Sequence, residues 1–175
     1  MGVTTSTASA GATYQPIATY TAPSAQSSYT FNSFSGYTDI VLIAQVQSDA
    51  GGYANFNIRF NSDTGSNYSR VYMYGNGTTA GTGKSAASTD TSITLGTMPS
   101  TSQGYWDISR VNIQNYSNST TYKTVLNRSD LLNDATYAGV GLWRNTAAIT
   151  SITLFSSSGN IATGSTFTLY GIRAA

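Results

Sequence analysis

Asn55-Phe56-Asn57-Ile58-Arg59-Phe60-Asn61 sets three large apolar side chains, Phe56, Ile58 and Phe60, alternately against polar ones. A period of two is the period of a strand with one face buried, because successive side chains leave an extended backbone on opposite sides. Val71 and Met73 repeat the pattern beyond a turn rich in Ser, Asp, Gly and Asn. Residues 39–46 (DIVLIAQV) are apolar almost throughout, which predicts a central strand covered on both faces. Further strands are expected at 14–20, 29–34, 92–96, 106–114, 122–126, 137–143, 149–155 and 166–172, with Gly, Ser, Asn and Asp clusters between them. No segment sustains a helical period, and 131–135 offers one turn at most. Eleven strands exceed one open sheet. The expectation is therefore an all-β fold, an antiparallel two-sheet jelly-roll-like sandwich, with an immunoglobulin-like sandwich as the less economical choice. Ile58 and Leu169 are expected in its core.

A chain of 175 residues is long enough to bury one sizeable core without disulfides or metal. The expected organisation is an extended N-terminal arm over 1–13 followed by a single β-sandwich domain over 14–175. Residues 76–90, small and polar around Lys84, read as a mobile loop, as do the first dozen residues.

Composition narrows the chemistry. The chain has no histidine, cysteine or glutamate, the residue types that supply most general acids and bases, thiol nucleophiles and transition-metal ligands. Charged residues make up 9% of it, against a usual value of about 25%. With a net charge of +1, no broad field draws nucleic acid or anionic lipid, so neither a nucleic-acid nor a membrane partner is expected. Polar contacts fall to hydroxyls and amides, including those of 13 tyrosines. No apolar window approaches the roughly 20 residues of a membrane helix, and no signal peptide is recognisable at the start. Five Asn-x-Ser/Thr matches, at Asn67, Asn76, Asn115, Asn118 and Asn127, are what a Ser/Thr-rich chain produces by chance.

Three motif fragments suggest enzymes, and each is incomplete. Gly77 to Gly83-Lys84-Ser85 looks like a phosphate-binding loop, but five residues separate the first Gly from the Gly-Lys pair where four are required. Asp63-Thr64-Gly65-Ser66 matches the tetrapeptide of aspartic proteases, which need two copies; one copy reads better as a hairpin turn. Asn61, Asp63, Gly65 and Asn67 have calcium-loop spacing, yet the twelfth position is Tyr72 instead of a bidentate Glu. No metal or cofactor is expected. The seven Asp residues sit mostly at turn-like positions, and two arginines beside tryptophan strands, Arg110 and Arg144, are candidates for carbohydrate or partner contacts.

Phe60-Asn-Ser-Asp-Thr-Gly-Ser-Asn-Tyr-Ser69, Asn115-Tyr116 with Tyr122-Lys-Thr124, Gly141-Leu-Trp-Arg-Asn-Thr-Ala-Ala-Ile-Thr-Ser-Ile-Thr-Leu-Phe155 and the closing Gly164-Ser-Thr-Phe-Thr-Leu-Tyr-Gly-Ile172 together resemble a group of small tailed-bacteriophage virion surface proteins. The resemblance runs in order from about Tyr29 to the end. It departs at Ser62, where that group tends to carry Gly. It implies a structural role with no catalytic residues. Within that role, a head decoration or cement protein on the outer capsid surface, made in the host cytoplasm, is preferred over a tail-borne receptor-binding module for host glycan, because the β-domain begins almost at once. The partner implied is the major capsid protein, and the assembly a homotrimer. The residues expected to dock are those of the arm, Val3, Thr4, Thr5, Ser6, Thr7, Ala8 and Ser9, whose small side chains let a backbone lie close along a partner.

Overall fold

The computed structural model describes residues 14–85, 89–131 and 135–173. Twelve strands are present among them: β1 (Tyr14–Thr21), β2 (Ser28–Phe31), β3 (Asp39–Val46), β4 (Ala54–Phe60), β5 (Tyr68–Gly75), β6 (Ala80–Lys84), β7 (Ile93–Met98), β8 (Asp107–Ile113), β9 (Lys123–Leu131), β10 (Ala135–Trp143), β11 (Ile152–Ser156) and β12 (Thr166–Ile172). Between β7 and β8 lies one turn of 3-10 helix, Thr101–Gln103, closed at its start by a reciprocal capping box between Ser100 and Gln103.

The strands form two antiparallel sheets of unequal width. Eight run in the order β1-β12-β3-β8-β9-β10-β5-β6 and four in the order β2-β11-β4-β7. The smaller sheet packs on one face of the larger, and alternation along each strand fills the space between them. Ile40, Leu42, Ala44 and Val46 from β3 meet Phe56, Ile58 and Phe60 from β4, with Val111, Val125, Phe167 and Leu169 around them, all buried. Rings knit the two layers: Phe56 lies 6.0 Å from Phe167, and Trp143 lies 5.5 Å from Phe60 and, within its own sheet, 6.3 Å from Tyr68. Ile58 and Leu169 are fully buried, as their positions in the alternation require.

The two-sheet sandwich is thus the fold, but four details differ from the reading of the chain. The segment 61–67 is no hairpin, because β4 and β5 belong to different sheets and the connection crosses the sandwich. Part of 76–90 is a strand: β6 pairs with β5 from Ala80 to Lys84 and forms an edge of the larger sheet. Its Gly-Thr-Gly composition hides a strand because glycine carries no periodic side chain. Val71 and Met73 alternate as expected but point away from the core, 59% and 62% exposed. β3 is central, yet only part of its outer face is covered: Val41 is buried and Ile43 is 41% exposed. The larger sheet has one partner sheet and two faces, so among the described residues no second sheet covers its outer face.

Candidate functional site

The arm residues Val3, Thr4, Thr5, Ser6, Thr7, Ala8 and Ser9 lie outside the described residues. The other candidates can be followed individually. Asp63 is a structural hub. Its carboxylate accepts from the Gly65 amide at 2.9 Å, from Asn67 Nδ2 at 2.9 and 3.2 Å and from the Trp143 indole at 2.7 Å. Burial works against its charge, but the hydrogen bonds from Trp143, Asn67, Gly65 and Asn145 outweigh that and hold the carboxyl below the ordinary range. The calcium-loop residues do not converge, since the Asn61 side chain turns to the Thr150 and Ser151 amides and the Ala148 carbonyl instead of toward Asp63. Lys84 and Ser85 stand at the end of strand β6, where Ser85 Oγ accepts from the Arg70 amide.

Two other groups are buried. Asp107 lies between the sheets, where Ser109 and Ser129 donate their hydroxyls to its two oxygens. Burial dominates over those bonds, and its pKa is pushed up to about 6. Asp130 faces the opposite side of the sheet, so the two carboxyls do not share a site. The buried Lys123 ammonium donates to the carbonyls of Thr121 and Thr146 at 2.7 and 3.1 Å, and burial lowers its pKa. Arg144 reaches Ser69 Oγ at 2.9 Å and is half-buried beside the 61–67 crossing.

What the strands bring together is a surface. On the open face of the larger sheet, register aligns Val41, Asn112, Leu126, Val140, Val71 and Lys84 across six neighbouring strands. The adjacent row is Thr168, Ile43, Arg110, Arg128, Ala138, Met73 and Thr82. Ile108 and Asp130 follow in the third. Ile43, Val71, Met73, Ile108, Leu126 and Val140 are all exposed on this face. Eight strands make it about 34 Å across from the first strand to the last at the usual inter-strand spacing. Arg110 and Arg128 stand directly opposite each other. Arg110 is steadied by the Tyr14 hydroxyl at 2.8 Å, with its guanidinium 5.9 Å from that ring. The arginine was visible in the chain; the face was not, because only the register places residues from five strands side by side.

A second feature lies on the other face. Strands β10, β5 and β6 extend past β7, the last strand of the smaller sheet, and leave a cleft lined by Asn55, Arg70, Tyr72, Thr94, Leu95, Gly96, Thr97, Asn127 and Tyr137.

No family model matches the chain, and no curated protein matches it. Among solved structures it is similar to one described as "Structure of alginate lyase Aly36B", at 11% identity and a TM-score of 0.37, over 89% of this chain and 79% of that one. At that score the likeness carries no argument.

Proposed function

We propose that this chain is a non-enzymatic virion structural protein of a tailed phage, a decoration or cement protein that docks on the outer head surface and stabilises the shell. The observation that supports this is the open face of the larger sheet. Six exposed aliphatic or methionine side chains, Leu126, Val140, Val71 and Met73 on one side of an arginine pair and Ile43 with Ile108 on the other, give this face apolar surface of the kind that marks a protein interface. Two arginines held directly opposite each other disfavour the free chain, and a partner's carboxylates would turn that repulsion into attraction. The occupant that fits is a shell subunit, the major capsid protein, presenting acidic residues among apolar ones. A homotrimer and the arm over 1–13 complete the reading as the means of matching a local threefold and clamping a neighbour.

The test is cosedimentation with heads that lack the protein. The wild-type chain is expected to bind and to raise the temperature at which heads rupture, because a ligand of the assembled shell alone stabilises it by mass action. Arg110→Asp with Arg128→Asp is expected to weaken binding at least tenfold with the melting temperature of the isolated protein unchanged. Deleting residues 1–12 is expected to weaken it as well. If the double variant decorates heads like the wild type, the open face is not the dock. If no form binds heads and all bind host cells, a tail location replaces this reading.

A further inference from the structure

The cleft beside β7 is a second, independent feature, lined by Tyr72 and Tyr137, with Tyr74 packed against both. Tyr72 and Tyr74 are two residues apart on β5 and so share a face, and Tyr137 on β10 is the register partner of Tyr74. Their ring centroids lie 6.4, 6.5 and 6.0 Å apart, and all three side chains are half-buried. This is the same face that carries Trp143 and Tyr68 into the core, but here the smaller sheet no longer covers it.

The neighbouring strand is cut down to fit them. Gly81 and Gly83 on β6 are the register partners of Tyr74 and Tyr72. A Cβ on Gly81 would lie 2.9 Å from the Tyr74 ring, and one on Gly83 would enter the Tyr72 ring. Glycine weakens a strand, so two of them at alternate positions mark a place where something must approach the backbone closely. Here it is the Tyr72 and Tyr74 rings, which lie over the edge strand, and Tyr72 with Tyr137 floors the cleft.

The opposite wall is polar. Asn55, Thr94 and Thr97 come from β4 and β7, and facing them from β9 Asn127 is fixed by a hydrogen bond from its side-chain N–H to the Leu95 carbonyl. Arg70 stands over the Tyr72 ring at 4.8 Å and points a guanidinium N–H at the Thr94 carbonyl, 3.5 Å away. The space enclosed is about 130 Å³ and continues past Asn55, Arg70, Tyr72 and Thr94 into a wider depression of about 400 Å³. A volume near that of one six-membered ring, an aromatic floor and a rim of amides, hydroxyls and one guanidinium suit a ligand with a C–H face and many hydroxyls.

We propose that this cleft is a saccharide-binding site, in which a sugar ring lies against Tyr72 and Tyr137 while Arg70, Asn55 and Thr97 take its hydroxyls, the chain continuing into the wider depression. It is separate from the open face on the other side of the sheet, so it stands whether the protein sits on a head or a tail.

The experiment is titration of the purified full chain, without heads, with neutral hexose tetrasaccharides and with uronic acid tetrasaccharides at millimolar concentration, followed by amide and tyrosine NMR shifts. Saturable shifts confined to β5, β6, β7 and β10 are expected with at least one of the two. Asn55→Ala and Arg70→Gln are expected to raise Kd at least fivefold and Tyr72→Ala at least tenfold. Asn55 is exposed, so its variant separates lost binding from lost folding. No saturable shift with either set, or binding that survives both Tyr72→Ala and Asn55→Ala, overturns the proposal.

Discussion

Asp107 shows how a single buried carboxyl can set the pH dependence of a protein with few charges. Burial raises its pKa to about 6, so the native state holds a proton that the unfolded chain releases near the ordinary carboxyl value of 3.8. Between those values the folded form binds more protons, and stability falls as pH rises. The contribution is fully present below the unfolded pKa and is lost as pH climbs through the folded one. From pH 4.5 to 7 the loss expected from this group is about 2 kcal/mol. Urea unfolding at a series of pH values is expected to show that decline in the wild type and to lose it in Asp107→Asn. Asp63 and Asp49 have lowered pKa values and act in the opposite sense, below the ordinary carboxyl value of 3.8, so they do not obscure the window. At Ser62, φ is 56° beside Asn61 at 51°, and the Asp63 amide donates to the Phe60 carbonyl at 2.9 Å. Both central residues of this turn are therefore left-handed, the type I′ arrangement, which Asn tolerates and Ser resists. Ser62→Gly is expected to stabilise the chain by up to about 1 kcal/mol, read as a higher urea midpoint with an unchanged slope.

Among the elements, β7 and β6 show what glycine does in a strand. On β7, Gly96 lets the Ser129 hydroxyl of β9 pass under the smaller sheet to reach Asp107; a Cβ there would collide with that side chain. Gly96→Ala is expected to cost about 2–3 kcal/mol through overpacking, measured as a drop in urea midpoint. The same residue type explains what the chain did and did not disclose. Strands β3 and β12 are legible to the residue because their side chains are large and alternate, or are apolar throughout. β6 was hidden because Ala80-Gly81-Thr82-Gly83-Lys84 has the composition of a loop, and its pairing depends on Tyr72 and Tyr74 lying over its glycines. Val71 and Met73 alternate correctly, but a period of two states that a strand has two faces, not which one meets the core. In β5 the inner positions go to Tyr68, Arg70, Tyr72 and Tyr74, and the aliphatic residues face outward. Asp63 was singled out for a catalytic motif, and the feature that fixes its role is Trp143, eighty residues away.

For the molecule as a whole, the width difference between the two sheets decides where function can lie. Among the described residues, eight strands against four leave the larger sheet with an outer face that no second sheet covers and an overhang beyond β7. The outer face gathers exposed aliphatic side chains around Arg110 and Arg128, and the overhang forms the tyrosine cleft. Low charge and abundant hydroxyls suit a protein built to be touched along flat surfaces. The central claim is that the outer face is the docking surface. A cryo-electron microscopy reconstruction of the virion tests it most directly. The account expects density for this sandwich on the outside of the head, with Ile43, Ile108, Leu126, Val140 and the two arginines within contact distance of the shell subunit. A sandwich on the head with that face turned to solvent, or one found on the tail alone, would contradict it.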